Sequence, residues 1–275
     1  MKNYLKKIPV SVLLMFVTAI GLLIFSAVGG ARAVLTYYSD TYTATMDMYH
    51  IGVQLNEYKS AEDAASQADR NIVSYRNYID NPSSETQSNW NVKTGEILTW
   101  VGKDDNEKFE VGKNIPEQLT VANTGSIDEY VRVICYRYWK NADGTKATDL
   151  DPELIVWEFN EDPDADGYQW VKGSETSDGK EREIYYLNKP LPVNSETSPF
   201  LIGVTIDDEV NNLVGKEEVI TTGNVTVVKR DYEYEGKTFC IEVEVDAVQT
   251  HNGADAIKAA WGKSVTPAED GSVSW

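Results

Sequence analysis

The residues able to do covalent or metal chemistry are few and widely spaced. The chain has two histidines, His50 and His251, and two cysteines, Cys135 and Cys240. It contains no H-E-x-x-H zinc motif, no G-x-S-x-G serine motif and no P-loop. A cysteine paired with His251 would be the one remaining nucleophile, but both cysteines lie in strand-like sequence, where an inert thiol is the commoner role. The sequence therefore predicts no catalytic residue and no enzyme, and it leaves open whether the two cysteines form a disulfide.

One acidic stretch has the beginning of a calcium loop. In "EDPDADG", residues 161–167, Asp162, Asp164 and Asp166 alternate before a glycine. Alternate carboxylates of this kind converge on Ca²⁺ in EF-hand loops, where the glycine allows a sharp turn. The twelfth position of such a loop is Gly173 here, where a bidentate acid is expected. The alternative is an Asp- and Gly-rich turn that binds no metal, so calcium is the one cofactor the sequence suggests.

The charge of the chain excludes one class of partner. The formal net charge is −19, from 44 acidic and 25 basic residues. Nucleic acids and anionic lipid surfaces are polyanions, and an acidic protein is repelled by both. We therefore expect no nucleic-acid partner, and membrane contact only through the N-terminal segment described next.

The N-terminal segment has the pattern of an export signal. Three lysines lie within the first seven residues, residues 8–31 carry no charge, and Ala31 and Ala33 form an A-x-A site. The apolar run is longer than a usual signal core and is long enough to span a bilayer, so a retained anchor is the alternative to cleavage. Either way, the sequence predicts that most of the chain lies outside the cytoplasm, secreted or at the cell surface. Removal of residues 1–33 takes away four basic residues and no acid, which moves the charge from −19 to −23.

The remaining sequence is typical of strands. In "FCIEVEVDAV", residues 239–248, Phe239, Ile241, Val243 and Val245 alternate with polar residues, which predicts one buried and one wet face. Residues 117–139 predict two strands joined by a polar turn at 123–126. "LIVWEFN" and "YQWV" predict a hairpin closed by the acidic loop, and three further strands are expected in the stretches at 182–188, 199–206 and 223–228. Many short strands with frequent turns predict a mainly β fold, an antiparallel β-sandwich of jelly-roll type.

Two short helices are expected beside the strands. Residues 61–79 follow Ser60, which with Asp63 makes a capping pair, and apolar residues recur at helical spacing. The second helix covers residues 253–262 and ends at a glycine. We expect residues 50–275 to form a single domain.

The aromatic residues allow two interpretations. There are 16 tyrosines and 7 tryptophans. Exposed rings stack on sugars, which makes carbohydrate a candidate ligand. Rings at alternating positions, such as Tyr136 and Tyr138, are equally typical of a sandwich core and its cross-strand contacts.

Three blocks resemble the TasA–camelysin family of exported Gram-positive surface proteins. They are the junction "GGARAVLTYYSD" with the strand "IGVQLNE" that follows it, the block "VGKNIPEQLTVANTGSIDEYVRV" and the C-terminal block "VEVDAVQTHNGADAIKAAWG". The resemblance covers most of the chain in scattered pieces, and the C-terminal block is similar to that of uncharacterised members from gut Firmicutes. It implies a jelly-roll domain, processing by a SipW-type signal peptidase and a role in the cell surface or biofilm matrix. Some members are classed as peptidases, which keeps a camelysin-like peptidase as a further alternative.

The resemblance also bears on the segment after the signal. It implies that cleavage could fall as late as Thr36, leaving Tyr37, Tyr38, Ser39 and Asp40 as the new terminus. Residues 34–49 alternate as an extended strand does. After release, this segment is free to add to the sheet edge of a second copy and to build an open-ended fibre. The alternative is that it pairs within its own sandwich and covers an edge.

The sequence thus predicts an exported structural protein, a matrix fibre subunit or an accessory of one. Its expected partners are the signal peptidase, further copies of itself, and other matrix or surface proteins. The competing class is a monomeric extracellular module that binds calcium or carbohydrate.

Overall fold

A computed structural model describes residues 10–20, 22, 49–78, 90–101, 109–174, 180–222 and 225–275. The chain divides into two compact units, Met1–Met48 and Tyr49–Trp275. In the first unit the described residues 10–20 and 22 are helical, and we call residues 10–20 helix α1. Among the residues that the structure describes, no helix is long and apolar enough to cross a membrane.

The second unit is built almost entirely from strands. Its two helices are α2 (Ala61–Ser66) and α3 (Gly253–Trp261). In chain order the strands are β1 (Val53–Tyr58), β2 (Asn71–Tyr78), β3 (Trp90–Lys93), β4 (Ile115–Asn123), β5 (Glu129–Lys140), β6 (Lys146–Ala147), β7 (Ile155–Phe159), β8 (Trp170–Lys172), β9 (Arg182–Leu187), β10 (Leu201–Ile206), β11 (Val214–Thr222), β12 (Val225–Tyr232) and β13 (Thr238–Gln249).

The strands form two large antiparallel sheets and one hairpin. The first sheet has the order β3-β2-β1-β4-β10-β7, and the second has the order β13-β5-β9-β8 with β6 paired to β5. Strands β11 and β12 pair only with each other among the described strands. The longest ladder joins β5 and β13 from Gln249 opposite Glu129 to Thr238 opposite Lys140.

The two large sheets share one apolar core. Leu55, Leu119 and Leu201 come from the first sheet, and Val133 and Tyr185 come from the second, and all five are buried in the same cluster. Burial of alternate side chains from two facing sheets is how a β-sandwich forms its core. The expectation of a mainly β, antiparallel fold is confirmed, while its assignment as a jelly roll stays a prediction. Because both sheets and all three core clusters lie within Tyr49–Trp275, this unit has a core of its own and should fold without the first unit.

The first predicted helix is wrong over most of its length. Ser60 caps α2 as expected, since its hydroxyl accepts the backbone N–H of Asp63 at 3.1 Å. The helix ends at Ser66 because Gln67 has a left-handed backbone, with φ of 53°. Residues 71–78 then form β2, which pairs with β1. The apolar residues have helical spacing, but the β-branched Ile72 and Val73 favour a strand, and pairing with β1 stabilises that strand. Residue 79 lies outside the described residues.

The predicted hairpin around the acidic loop is also wrong. Strand β7 pairs with β10 in the first sheet, whereas β8 pairs with β9 in the second. The loop therefore crosses from one sheet to the other. Ile155 and Trp170, on either side of the loop, are both buried in the shared core, Ile155 from the first sheet and Trp170 from the second. The two strands joined by the turn at 123–126 are confirmed, but they too lie in different sheets.

The second predicted helix is confirmed. Helix α3 ends at Gly262, whose φ of 73° suits glycine. Ile257 of α3 is fully buried against Val248 and Tyr130, on the outer face of the second sheet. The C-terminal Trp275 stacks on Tyr186 with ring centroids 4.4 Å apart. This face of the sheet is therefore covered by the chain's own C-terminal segment.

Candidate functional site: an open sheet edge and its groove

The candidate site begins with the sequence of β13. Its odd-numbered side chains Phe239, Ile241, Val243 and Val245 pack against the main core, as their alternation predicts. The even-numbered Glu242 and Glu244 face outward and are exposed. One long edge of β13 is hydrogen-bonded to β5 along all twelve residues, and the other edge pairs with no strand among the described residues. We call this second side the open edge.

The core behind the open edge is only partly covered. On β5, the inward Val131, Val133 and Cys135 are fully buried. Their partners on β13 are Ala247, Val245 and Val243, and these are only partly buried. Facing residues in one ladder share the same side of the sheet, so the difference comes from position within the sheet rather than from orientation. A further strand beside β13 would bury the inward residues of β13 as fully as those of β5 are buried now.

A groove of about 1120 Å³ lies between β13 and the first sheet. Its two walls are apolar. One wall has side chains from β1, β2 and the segment that follows β3, and the other has side chains from β13. These side chains are Leu55, Val73, Ile97, Leu98, Val101, Phe239, Ile241, Val243 and Val245. Phe109 lies at one end, with its ring centroid 5.4 Å from that of Phe239. Such a groove accepts alternate side chains of an extended segment whose backbone pairs with the edge.

The rim of the groove is charged. Glu242 accepts a hydrogen bond from the Tyr138 hydroxyl at 2.5 Å, and this bond, together with burial, raises the pKa of Tyr138. Asp246 forms an ion pair with Arg132 at 2.7 Å. Glu96 and Glu244 add two exposed carboxylates, and Lys140 lies near the start of β13. The open edge is therefore apolar inside and mainly acidic at its mouth.

The residues predicted to be cut or donated lie outside the described residues. These are the signal-peptidase residues Ala31, Ala33 and Thr36, and the donor residues Tyr37, Tyr38, Ser39 and Asp40. The described chain of the second unit begins at Tyr49. Cleavage and strand donation both stay predictions.

The acidic loop is organised as a turn by Asp164. Its Oδ1 accepts the backbone N–H groups of Asp166 at 3.0 Å and Tyr168 at 2.8 Å, and its Oδ2 accepts the Ser198 hydroxyl at 3.2 Å. Asp162 and Asp166 are exposed. Within the described ranges, no group of three or more acidic, histidine or cysteine side chains is placed to hold a metal ion. The observed bonds are those of an Asx turn, and the calcium site stays a prediction.

The candidate nucleophile pair is not brought together. Cys135 and Cys240 are both free thiols, so the disulfide that the sequence left open is not formed. Burial, with a smaller contribution from Glu183, raises the pKa of the Cys135 thiol well above its usual range. Cys240 is eleven residues before His251, and nearly all of that stretch is extended in β13, so they are on the order of 35 Å apart. His50 instead packs on Tyr78, with ring centroids 5.2 Å apart.

Most of the aromatic rings that the structure describes pack on one another rather than forming a platform. Phe159 stacks on Tyr185 at 3.8 Å, and Trp170 packs on Phe200 at 5.4 Å. Tyr138, on the outer face of β5, lies between Lys140 and Lys146, whose ammonium groups are 5.3 and 5.2 Å from its ring centroid. These contacts are those of a core and its edges, and carbohydrate binding stays a prediction.

Buried carboxyls are the feature that sequence inspection missed. Glu117 on β4 is fully buried, and neither of its carboxyl oxygens has a hydrogen-bond partner. Burial, followed by the nearby carboxyl of Glu57, raises its pKa to about 9. Glu57 itself accepts the backbone N–H of Leu98 at 2.5 Å and the amide of Asn71 at 2.6 Å. The signal lay in the strand pattern, because Glu117 shares its face with Leu119 and Val121.

A second set of polar side chains is fully satisfied. Glu196 accepts hydrogen bonds from Asn56 and Tyr58, both at 2.9 Å, and from Thr120. Burial first, and then the Glu196 carboxylate, raises the pKa of Tyr58 to about 12. Glu183 is held in the same way by Arg137 at 3.3 Å and other donors. Both sets are hydrogen-bonded networks that join separate parts of the sandwich.

Comparisons of this chain with protein-family models, with curated proteins and with solved structures gave no match. The open edge and its groove are therefore the features from which a function is inferred, by their own geometry.

Proposed function

We propose that this chain is an exported structural protein of the cell surface or matrix, whose copies assemble when residues 34–49 of one add to the open edge of β13 in the next. The observation that carries the proposal is the open edge, twelve residues long and backed by an apolar groove. A long exposed edge is a template for pairing with another extended segment. Such contacts are heterologous, so they continue from copy to copy into a filament.

The donor segment fits the groove in length and pattern. Residues 34–49 are sixteen residues, enough to run along the twelve of β13. Leu35 and Tyr37 alternate with Thr36 and Tyr38, so one face of the added strand would carry a leucine and an aromatic ring into the groove. The same segment lies next to the predicted cleavage site, so release from the signal would free it for exchange.

Charge sets the conditions for this assembly. The donor carries Asp40 and Asp47 and no basic residue, while the groove mouth carries Glu242 and Glu244. The net charge of the whole chain also opposes close approach of two copies. Assembly should therefore strengthen with salt, with divalent cations and at mildly acidic pH, because each of these reduces carboxylate repulsion.

The resemblance of the N-terminal and C-terminal blocks to exported surface proteins supports the location. The basic, apolar and A-x-A pattern of residues 1–33 overlaps the N-terminal block and is itself typical of an export signal. The absence of a recognisable nucleophile or zinc motif in the sequence supports a structural rather than an enzymatic role.

The test compares two purified chains, residues 34–275 and 49–275, by electron microscopy across salt and pH. We expect filaments from the longer chain only. Adding a peptide of residues 34–49 in excess should block them, because it occupies the open edge. If the longer chain stays monomeric under all conditions, or if the shorter chain polymerises equally well, the proposal is wrong.

A further inference from the structure

The hairpin of β11 and β12 stands apart from the rest of the fold, and we call these two strands the arm. Every residue of both strands is exposed. None of them belongs to the core clusters formed by the described residues, although Leu213 and Tyr234, just outside the arm, pack on the core. A two-stranded hairpin without a packed face is at best marginally stable in water. The arm therefore has the geometry of an element that is completed by a partner.

Both faces of the arm carry exposed apolar side chains. Val219 and Val228 form one cross-strand pair, and Ile220 and Val227 form the next on the opposite face. Between 47 and 58 % of the surface of these four side chains is exposed. Such a set of β-branched residues on a projecting hairpin is an interaction surface rather than an ordinary loop.

The charge of the arm identifies the partner. The two strands carry three basic residues, Lys216, Lys229 and Arg230, and three acidic ones, Glu217, Glu218 and Asp231, so the arm is neutral in a chain of net charge −19. A strongly charged partner gains nothing from a neutral surface. Two arms, by contrast, approach each other without the repulsion that the rest of the molecule imposes.

The two edges of the arm differ. Strand β11 has an irregular register between Val214 and Lys216, and such bulges protect an edge from further pairing. Strand β12 is regular along all eight residues and begins with three β-branched valines and a threonine. Its outer edge pairs with no other described strand.

From these observations we infer that the arm is a dimerisation element, in which β12 pairs antiparallel with β12 of a second copy to make a four-stranded sheet. A register with Val228 opposite Val228 of the second copy pairs residues 225–231, and it lets the outward N–H and C=O groups of the two strands meet. It sets Thr226 opposite Arg230 and places no like charges directly opposite each other. Because the arm is about 30 Å long and the two arms point in opposite directions, the two sandwich bodies stay apart.

This contact is independent of residues 34–49 and of the proposed filament. The area is small, below the roughly 1,200 Å² of a standard interface, so we expect a reversible dimer with a dissociation constant in the micromolar range. It would serve as a second contact between copies, beside the open edge of β13.

The test uses residues 49–275, which lack the N-terminal segment, in sedimentation equilibrium from about 1 µM to about 300 µM. We expect a concentration-dependent dimer. A variant in which residues 214–232 are replaced by a short glycine linker should be a folded monomer, because the N–H of Glu233 bonds to the carbonyl of Leu213 at 2.9 Å and so holds the two ends together. The inference is overturned if residues 49–275 stay monomeric at every concentration, which would leave the arm to a different protein or surface. It is also overturned if the dimer survives removal of the arm.

Two matched variants test the register. Thr226→Lys and Thr226→Glu lose the same contact between the Thr226 and Thr221 hydroxyls, and the residues on the arm nearest to position 226 on that face are uncharged. Only the glutamate would meet Arg230 of the second copy favourably. We expect the Glu variant to dimerise about ten times more tightly than the Lys variant, since two opposed pairs change sign per dimer. Equal dissociation constants would overturn the β12 pairing.

Discussion

Val243 and Cys135 lie opposite each other on the core side of the second sheet, yet Cys135 is fully buried and Val243 is only partly buried. The two residues belong to neighbouring strands and face the same way, so the difference comes from the missing neighbour of β13 among the described strands. The groove of about 1120 Å³ lies on the same side of β13. A strand added there would complete the core, and this is the basis of the proposed assembly.

The rim charge of the open edge should control assembly. Glu244→Lys replaces an exposed carboxylate at the mouth of the groove, to which the proposed donor segment would bring Asp40 and Asp47. We expect filaments of residues 34–275 to form about tenfold faster at low salt, with the difference lost at high salt. Turbidity and microscopy give the measurement.

Asp162→Lys is the matched control, because it makes the same charge change in the exposed loop before β8, at the opposite edge of the second sheet. If the control accelerates assembly as much as Glu244→Lys does, net charge rather than the open edge is responsible.

Glu117 should make the protein less stable as the pH rises. Its pKa is about 9 in the folded protein and has its ordinary value near 4.5 in the unfolded chain. The folded state therefore holds a proton that the unfolded state releases, so the free energy of unfolding falls from pH 4.5 to about pH 9. Glu117→Gln removes this dependence, and relative to the parent its stability should rise by about 2 kcal/mol or more across that interval.

Urea unfolding at several pH values measures this effect. Glu129, whose pKa burial raises to about 8 despite a 2.7 Å hydrogen bond from the N–H of Gly52, contributes in the same direction and remains in both proteins. Glu96→Gln, at an exposed carboxyl, serves as the control and should follow the pH dependence of the parent, because it keeps Glu117. A parallel pH dependence in the parent and Glu117→Gln would contradict the assignment.

The acidic loop gives a prediction that separates its two interpretations. Asp164→Ala removes three hydrogen bonds of the turn and should lower the free energy of unfolding by about 1–3 kcal/mol. Asp162→Ala, at an exposed residue, should change it by less than about 0.5 kcal/mol. Thermal unfolding with and without calcium measures both; a calcium-dependent rise in Tm that Asp162→Ala abolishes would establish the site and contradict the turn interpretation.

The two thiols should differ sharply in reactivity. Cys135 is buried and its pKa is raised by burial, so it should react with a thiol reagent only after unfolding. Cys240 is partly exposed on the outer side of β13 and should react in the folded protein. Counting modified thiols by mass spectrometry tests this; two fast thiols in the folded state would show that the core around Cys135 opens.

The sequence predicts local features of this fold better than long-range ones. The alternation from Phe239 to Val245 was enough to predict β13 and its inward face, and the glycine after Trp261 was enough to predict the end of α3. The prediction for residues 71–78 was wrong because Ile72 and Tyr75 also have helical spacing. Only the pairing with β1 distinguishes a strand from a helix here.

The candidate site could not be predicted for the same reason. The open edge depends on which strand is outermost in the second sheet, and the groove depends on residues as far apart as Leu55 and Ile241 meeting across the core. The prediction of a hairpin around the acidic loop was wrong for the same reason, because its two strands belong to different sheets. What the sequence did supply was a candidate donor, residues 34–49, without the edge that would receive it.

The most direct test of the open edge is amide hydrogen exchange of residues 49–275, with and without a peptide of residues 34–49. About half of the amides in Thr238–Gln249 should exchange slowly in the free protein, because they bond to β5, and the others should become protected when the peptide adds to the open edge. A scrambled peptide of the same composition is the control. Unchanged exchange across β13 at saturating peptide would contradict strand addition at this edge.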